Sequence, residues 1–172
     1  MNWEALGAIG ELVGATAVVL TLGYLALQIR QTRLDTRASI FDSILLEWRR
    51  HQRETYITYP DNLRVYVEGL NDFDGMTQQD RQRFIYILSQ EVLFIENMIR
   101  QLNNGNITYE QLEPWVDFFC AHLRTPGGAS WWLQTKNVFS PLLRDYIDQH
   151  AEKTKERPDF ISLMPTMFRS DA

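Results

Sequence analysis

The sequence predicts an all-α protein: a single N-terminal transmembrane helix that continues into a cytoplasmic helical bundle. Three observations predict it. Residues 12–29 carry no charged side chain and are followed at once by arginines. Downstream, apolar residues recur at three- and four-residue spacing, with no strand-like alternation long enough to build a sheet. The breaks between these periodic segments are short and carry helix-start and helix-stop residues.

Crossing roughly 30 Å of hydrocarbon takes ~20 mostly apolar residues. Residues 12–29 supply about 27 Å of helix at ~1.5 Å each. Residues 5–10 extend the run across Glu11, which falls at headgroup level with Trp3. A cleaved signal peptide would want a basic start and a small-residue cleavage site. Here Glu4 and Glu11 come first, and Gln28, Ile29 and Arg30 close the run. The alternative to a span is a soluble helical oligomer that buries 12–29 in an interface. Arg30, Arg33, Arg37, Arg49, Arg50 and Arg53 all follow the run, and no Lys or Arg precedes it. Positive charge stays inside, so the expected topology is a single membrane pass with the N-terminus outside and the body of the chain cytoplasmic. Arg30, Arg33 and Arg37 then meet anionic headgroups of the lipid bilayer.

From Ile29 to Tyr56 there is no Gly or Pro, and Ile40, Ile44 or Leu45, Trp48 and His51 continue an apolar stripe. The first helix therefore runs on and stops before Pro60, which pushes its predecessor out of the helical region. A short helix after Pro60 carries Leu63, Val67 and Leu70; residues 71–75 form a loop. Thr77 caps the strongest bundle helix, Gln78 to about Asn103, apolar round most of its circumference and so central. Asn104 and Gly105 stop it. Thr108 and Gln111 form a capping box for a helix bearing Leu112, Val116, Phe119, Cys120 and Leu123. Pro126, Gly127 and Gly128 are read as its end, before a short helix with Trp131 and Trp132. Ser140 and Pro141 open a helix to about Ala151. The domains are thus a 1–29 anchor, a 30–154 bundle and a 155–172 tail in which Phe160, Leu163, Met164, Met167 and Phe168 are the residues able to dock.

A formal net charge of -5 and a pI near 5.2 argue against nucleic acid as a partner. The single cysteine, Cys120, permits no intrachain disulfide and agrees with a reducing compartment. No catalytic motif is present, so the sequence leaves enzyme status open and leans against it; no cofactor and no metal are expected. Glu47, His51 and Glu54 share a helix face, but three neighbouring arginines make it a solvated, ion-paired surface rather than a metal site. Glu91, Glu96 and Asn97 lie in the most apolar helix and are the weak catalytic or pocket candidates, with pairing to an arginine as the structural alternative. Glu96 is the first of the three to examine. The turn at Thr125 lacks the lysine and spacing of a nucleotide loop. In the anchor, Gly7, Gly10, Gly14, Ala17 and Thr21 recur on one side, and Gly10-x-x-x-Gly14 allows close approach of a second helix.

The opening Trp3-Glu4-x-x-Gly7-Ala8-Ile9-Gly10-Glu11, the run closing on Gln28-Ile29-Arg30-Gln31, the later Pro126-Gly127-Gly128 with Trp131-Trp132, and Phe139-Ser140-Pro141 together resemble a family of uncharacterised small bacterial proteins. The resemblance spans the chain to about Ala151; the opening is specific in combination, each later piece weak alone. The pattern usually has Asn-Thr after the glutamine, whereas here Thr32 follows directly. The resemblance implies a membrane-anchored helical protein, which places the expected location at the bacterial inner membrane, and carries over no activity, cofactor or catalytic residue. The expected function is a membrane-anchored scaffold or interaction module that self-associates and has room for a further protein partner. The alternatives are a membrane-tethered enzyme or ligand sensor with a pocket near Glu96, and the soluble oligomer.

Overall fold

The computed structural model describes residues 2–165, apart from the side chains of residues 4–6 and 8; Met167 and Phe168 lie outside the described residues. It divides into two compact units, Met1–Ser43 and Ile44–Ala172. Secondary structure throughout the described residues is helical.

The first unit is the greater part of α1 (Trp3–Gln52). Within Ile9–Ile57 an 18-residue window has mean hydropathy 1.9, and none of that window is buried. The helix is therefore long and apolar enough to cross a membrane. Its polar side chains are satisfied along the helix itself. Thr16 Oγ1 donates to the Leu12 carbonyl and Thr21 Oγ1 to that of Ala17, both at 2.8 Å, and Gln28 Nε2 donates to Tyr24 Oη at 2.8 Å.

The second unit is the bundle. The last turns of α1 bring in Ile44, which is buried, and Trp48, whose ring lies 4.5 Å from Phe94 and 5.7 Å from Trp115. The helix then widens into one π turn, Arg53–Ile57, closed by Thr58 N donating to Arg53 O at 3.1 Å. After Pro60 come α2 (Asp61–Asn71), α3 (Gln78–Asn103), α4 (Tyr109–Leu123), α5 (Pro126–Thr135), α6 (Pro141–Lys153) and the single turn α7 (Phe160–Leu163). α2 packs on α3 and α5, and α4 packs on α3, α5 and α6. The core between them holds Leu70, Phe84, Leu88, Met98, Ile99, Leu112, Phe119, Trp131, Leu143 and Ile147.

The caps follow local chemistry. Thr77 Oγ1 accepts from Asp80 N at 3.2 Å, Gln111 Oε1 from Thr108 N at 2.9 Å, and Ser140 Oγ from Leu143 N at 3.3 Å. Gly105 takes φ 69° after α3, the left-handed position where glycine is favoured.

Three expectations need correction. Pro126, Gly127 and Gly128 do not end α4; they begin α5, with Thr125 as the N-cap accepting from Gly128 N at 3.1 Å. The reason is close packing: a Cβ on Gly127 would fall on the Gly69 carbonyl oxygen of α2, and one on Gly128 on the His122 carbonyl oxygen. In α2 the buried face is Val65, Tyr66, Gly69 and Leu70, while Leu63 is 42% exposed. Gly69 sets that face, because the Phe84 ring occupies the space of a β-carbon there. Finally, the segment after α6, expected as a tail with Phe160 among the residues able to dock, is held against the bundle as far as it is described. Arg124 Nε and Nη2 donate to the Pro158 carbonyl at 3.2 and 3.1 Å, Arg157 pairs with Asp117 at 2.6 Å, and Phe160 is buried.

Candidate functional site

Glu91 sits on the buried row of α3 that also presents Ile87, Leu88, Val92 and Ile95. The helical period that buries those residues buries the carboxyl too; Glu91 is 4% exposed. It borders a cavity of about 280 Å³. The π turn supplies Tyr56, α2 supplies Tyr66 and Leu63, α4 supplies Phe118, and the docked C-terminal segment supplies Phe160 and Met164; Gln52 completes the lining. An insertion of one π turn into a helix is a frequent mark of a functional position, and here it carries Tyr56.

Tyr56 Oη donates to Glu91 Oε1 at 3.4 Å. Among the described residues Glu91 forms no ion pair. Burial pushes its pKa up to about 8, against which the Tyr56 hydrogen bond acts only in part. At neutral pH the carboxyl therefore keeps its proton. Burial also raises the Tyr56 and Tyr66 phenols, with the Glu91 charge adding to the effect.

Behind this pair lies a second. His122 Nδ1 is 2.8 Å from the Phe118 carbonyl oxygen, which can only accept, so Nδ1 carries the proton. Nε2 is then an acceptor, and Tyr66 Oη donates to it in a short contact. Burial lowers the His122 pKa to about 3, outweighing the backbone hydrogen bonds that favour the cation. Phe160 stacks on the imidazole with ring centroids 4.1 Å apart, and the Tyr56 and Tyr66 rings meet edge-on at 5.5 Å. The site is thus an aromatic-walled cavity with a neutral histidine behind one tyrosine and an acid beside the other. Cys120 is buried elsewhere in α4 with its thiol pushed up to about 12, which leaves it unreactive.

The three carboxylate-region candidates part company. Glu91 enters the cavity. Glu96 is buried but bonded within its own helix, Arg100 Nη2 donating to Oε1 at 2.6 Å. Asn97 is exposed, with Gln101 Nε2 donating to its Oδ1 at 3.4 Å. It borders a separate surface groove of about 400 Å³ together with Glu47, His51 and Glu54. There Glu54 is paired with Arg50 at 2.9 Å, and among the described residues no group of three or more potential ligands is arranged to hold a metal. In the first unit, a Cβ on Gly7, Gly10 or Gly14 would meet nothing within 4 Å, and Ala17 and Thr21 are exposed beside them. Arg30, Arg33 and Arg37 are exposed and form no ion pair among the described residues. In comparisons with protein-family models, with curated proteins and with solved structures, nothing matches this chain.

The four-residue spacing of Glu91 from Ile87 and Ile95 is a signal that could have placed it on a buried face; in sequence it was singled out only with Glu96 and Asn97, as lying in the most apolar helix. Phe160 was marked only as a residue able to dock, and nothing local marked Tyr56, Tyr66, Phe118 or His122, which converge only through tertiary packing.

Proposed function

We propose that this chain is a membrane-anchored helical module: α1 crosses the inner membrane once, with its N-terminus outside, and the bundle works in the cytoplasm as an interaction module that self-associates through the Gly7, Gly10, Gly14, Ala17 and Thr21 face. The observation that carries this is the exposed apolar window of α1. Apolar surface on this scale is not left in water by a monomeric domain. The internal satisfaction of Thr16, Thr21 and Gln28 supports the same reading, because hydrocarbon offers no replacement hydrogen bonds. The resemblance of the opening signature to membrane-anchored bacterial proteins agrees with it. A role in binding rather than covalent chemistry fits a histidine committed to structural hydrogen bonds and a thiol held protonated.

The protein should stay with membranes through high salt and carbonate, since screening charges does not extract a spanning helix. Release by carbonate would favour the soluble oligomer that buries 12–29. For orientation, Asn2→Cys should react with an impermeant thiol reagent outside intact cells, whereas Glu152→Cys, on an exposed position of α6, should react only after lysis. Cys120 is too buried to report on sidedness. The opposite labelling pattern would reverse the topology.

The ligand-sensor alternative has its own specific support, the cavity at Glu91 rather than at Glu96.

A further inference from the structure

Three features of the bundle stand outside the anchor reading: the Glu91 cavity, the Asn97 groove, and the polar clamp that docks the C-terminal segment. In the groove Glu54 is already paired with Arg50. The clamp's groups are likewise committed, Asp117 accepting from both His150 and Arg157 at 2.6 Å. The cavity is different. Its walls are mostly aromatic and apolar, it has room for a small molecule, and its one carboxyl group accepts a hydrogen bond from a tyrosine hydroxyl and forms no ion pair among the described residues.

An ionised carboxylate in such a place lacks a counter-charge. A ligand that brings a positive charge supplies one, and the surrounding rings favour it again, since a cation within ~6 Å of an aromatic face is attracted by the ring quadrupole. Among the described lining residues an anionic ligand would meet the acid and two phenols and no cation. We propose that this cavity binds a small apolar organic cation, an amine or quaternary ammonium group on a hydrocarbon or aromatic body, with its charge against Glu91 and its body against Tyr56, Tyr66, Phe118 and Phe160.

The groups facing Glu91 set the pH behaviour. Tyr56 from the π turn and Tyr66 from α2 stay protonated well past neutrality, Gln52 from the end of α1 is uncharged, and His122 of α4 is neutral behind Tyr66. Only Glu91 changes charge near neutral pH, so cation binding at pH 7 expels close to one proton from it. The inference concerns the bundle alone and stands whether or not α1 spans a membrane.

The test is calorimetric titration of the full chain in phosphatidylglycerol nanodiscs with benzyltrimethylammonium and with its uncharged carbon isostere, neopentylbenzene. The cation should bind more tightly than the isostere, gain affinity from pH 6 to pH 8, and release protons, read as a dependence of the heat on the buffer. Glu91→Gln should weaken the cation by about tenfold or more while leaving the isostere unchanged or tighter. Leu63→Trp, a substitution at an exposed lining position, should block both probes without disturbing the core. Repeating the titration in phosphatidylcholine discs separates the sources of the cation: displacement of the probe assigns the site to a lipid headgroup, and no displacement to a free molecule. Equal affinity for cation and isostere, or insensitivity of the cation to Glu91→Gln, would overturn the proposal and leave an ordinary apolar cavity. Absence of cation binding up to millimolar concentration would overturn it as well.

Discussion

Replacing Glu91 with glutamine should change how the stability of the bundle depends on pH. The unfolded chain releases this proton near 4.5, whereas the folded chain holds it to about 8. The folded state therefore binds more protons between those values, and stability falls as pH rises across them. The contribution is fully present below about 4.5 and gone above about 8. Each pH unit is worth ~1.4 kcal/mol, so the interval from pH 6.5 to about 8 costs the wild type about 2 kcal/mol. His122 acts with the opposite sign and outside this range: its stabilisation is complete above about 6.5 and is lost as pH falls toward 3. Glutamine keeps the shape and a hydrogen-bonding group but has no proton to lose. The variant should show a flat profile from pH 6.5 to 8.5, and at pH 8 should exceed the wild type by on the order of 2–4 kcal/mol. The assay is reversible urea unfolding of both proteins in one mild detergent, followed by tryptophan fluorescence, since Trp131 and Trp132 are buried. Parallel pH profiles would refute the reasoning. So would a variant less stable than the wild type at pH 8, because ionised Glu91 would then have to be stabilised by a partner.

Glu96→Gln should lower stability by no more than about 1 kcal/mol in the same assay, because Arg100 is 64% exposed and stays solvated when its partner loses charge; a loss near 3 kcal/mol would mean the pair is sealed from water. Gly127→Ala should cost at least about 2 kcal/mol, since its methyl group would strike the Gly69 carbonyl of α2 and backbone cannot swing aside; an unchanged urea midpoint would show that α2 and α5 are not held in close contact. Gly10→Leu with Gly14→Leu should convert oligomers in detergent to monomers, or to whatever the bundle alone sustains, while leaving the protein in the membrane fraction. Light scattering in one detergent decides, and an unchanged oligomer would remove the glycine face as the interface.

Periodicity and cap chemistry made most of the fold legible. α3 begins and ends where Thr77 and Asn104 predict, because the signals that set its ends are local in sequence. The misreading at Pro126 has the opposite origin. A Pro-Gly-Gly triplet is a helix-stop pattern in isolation, and its glycines turn out to serve α2, a partner distant in sequence. α2 was misjudged for the same reason: Leu63, Val67 and Leu70 satisfy a helical stripe, but the glycine at position 69 draws Phe84 onto a neighbouring face. At the candidate site, the apolar character of one helix was enough to single out Glu91, Glu96 and Asn97 together. It was not enough to separate Glu91 from Glu96, which is buried on the same helix but finds an arginine one turn later. The aromatic walls depend on a π turn and on the docking of Phe160, neither of which leaves a periodic trace.

Tyr56, just after the long first helix, and Phe160, near the end of the described chain, both enclose the cavity. During synthesis from the N-terminus, the apolar helix leaves the ribosome long before Phe160 does. On the proposed anchor reading, insertion into a bilayer would therefore precede completion of the cavity. An occupant finds its full set of walls only when nearly every described residue has emerged, so it cannot seed the early collapse of the bundle. Its effect falls on the finished domain, where the added stability grows with the logarithm of its concentration above the dissociation constant. The abundance of mature protein would then track the supply of that molecule, with no change in the rate at which chains are made.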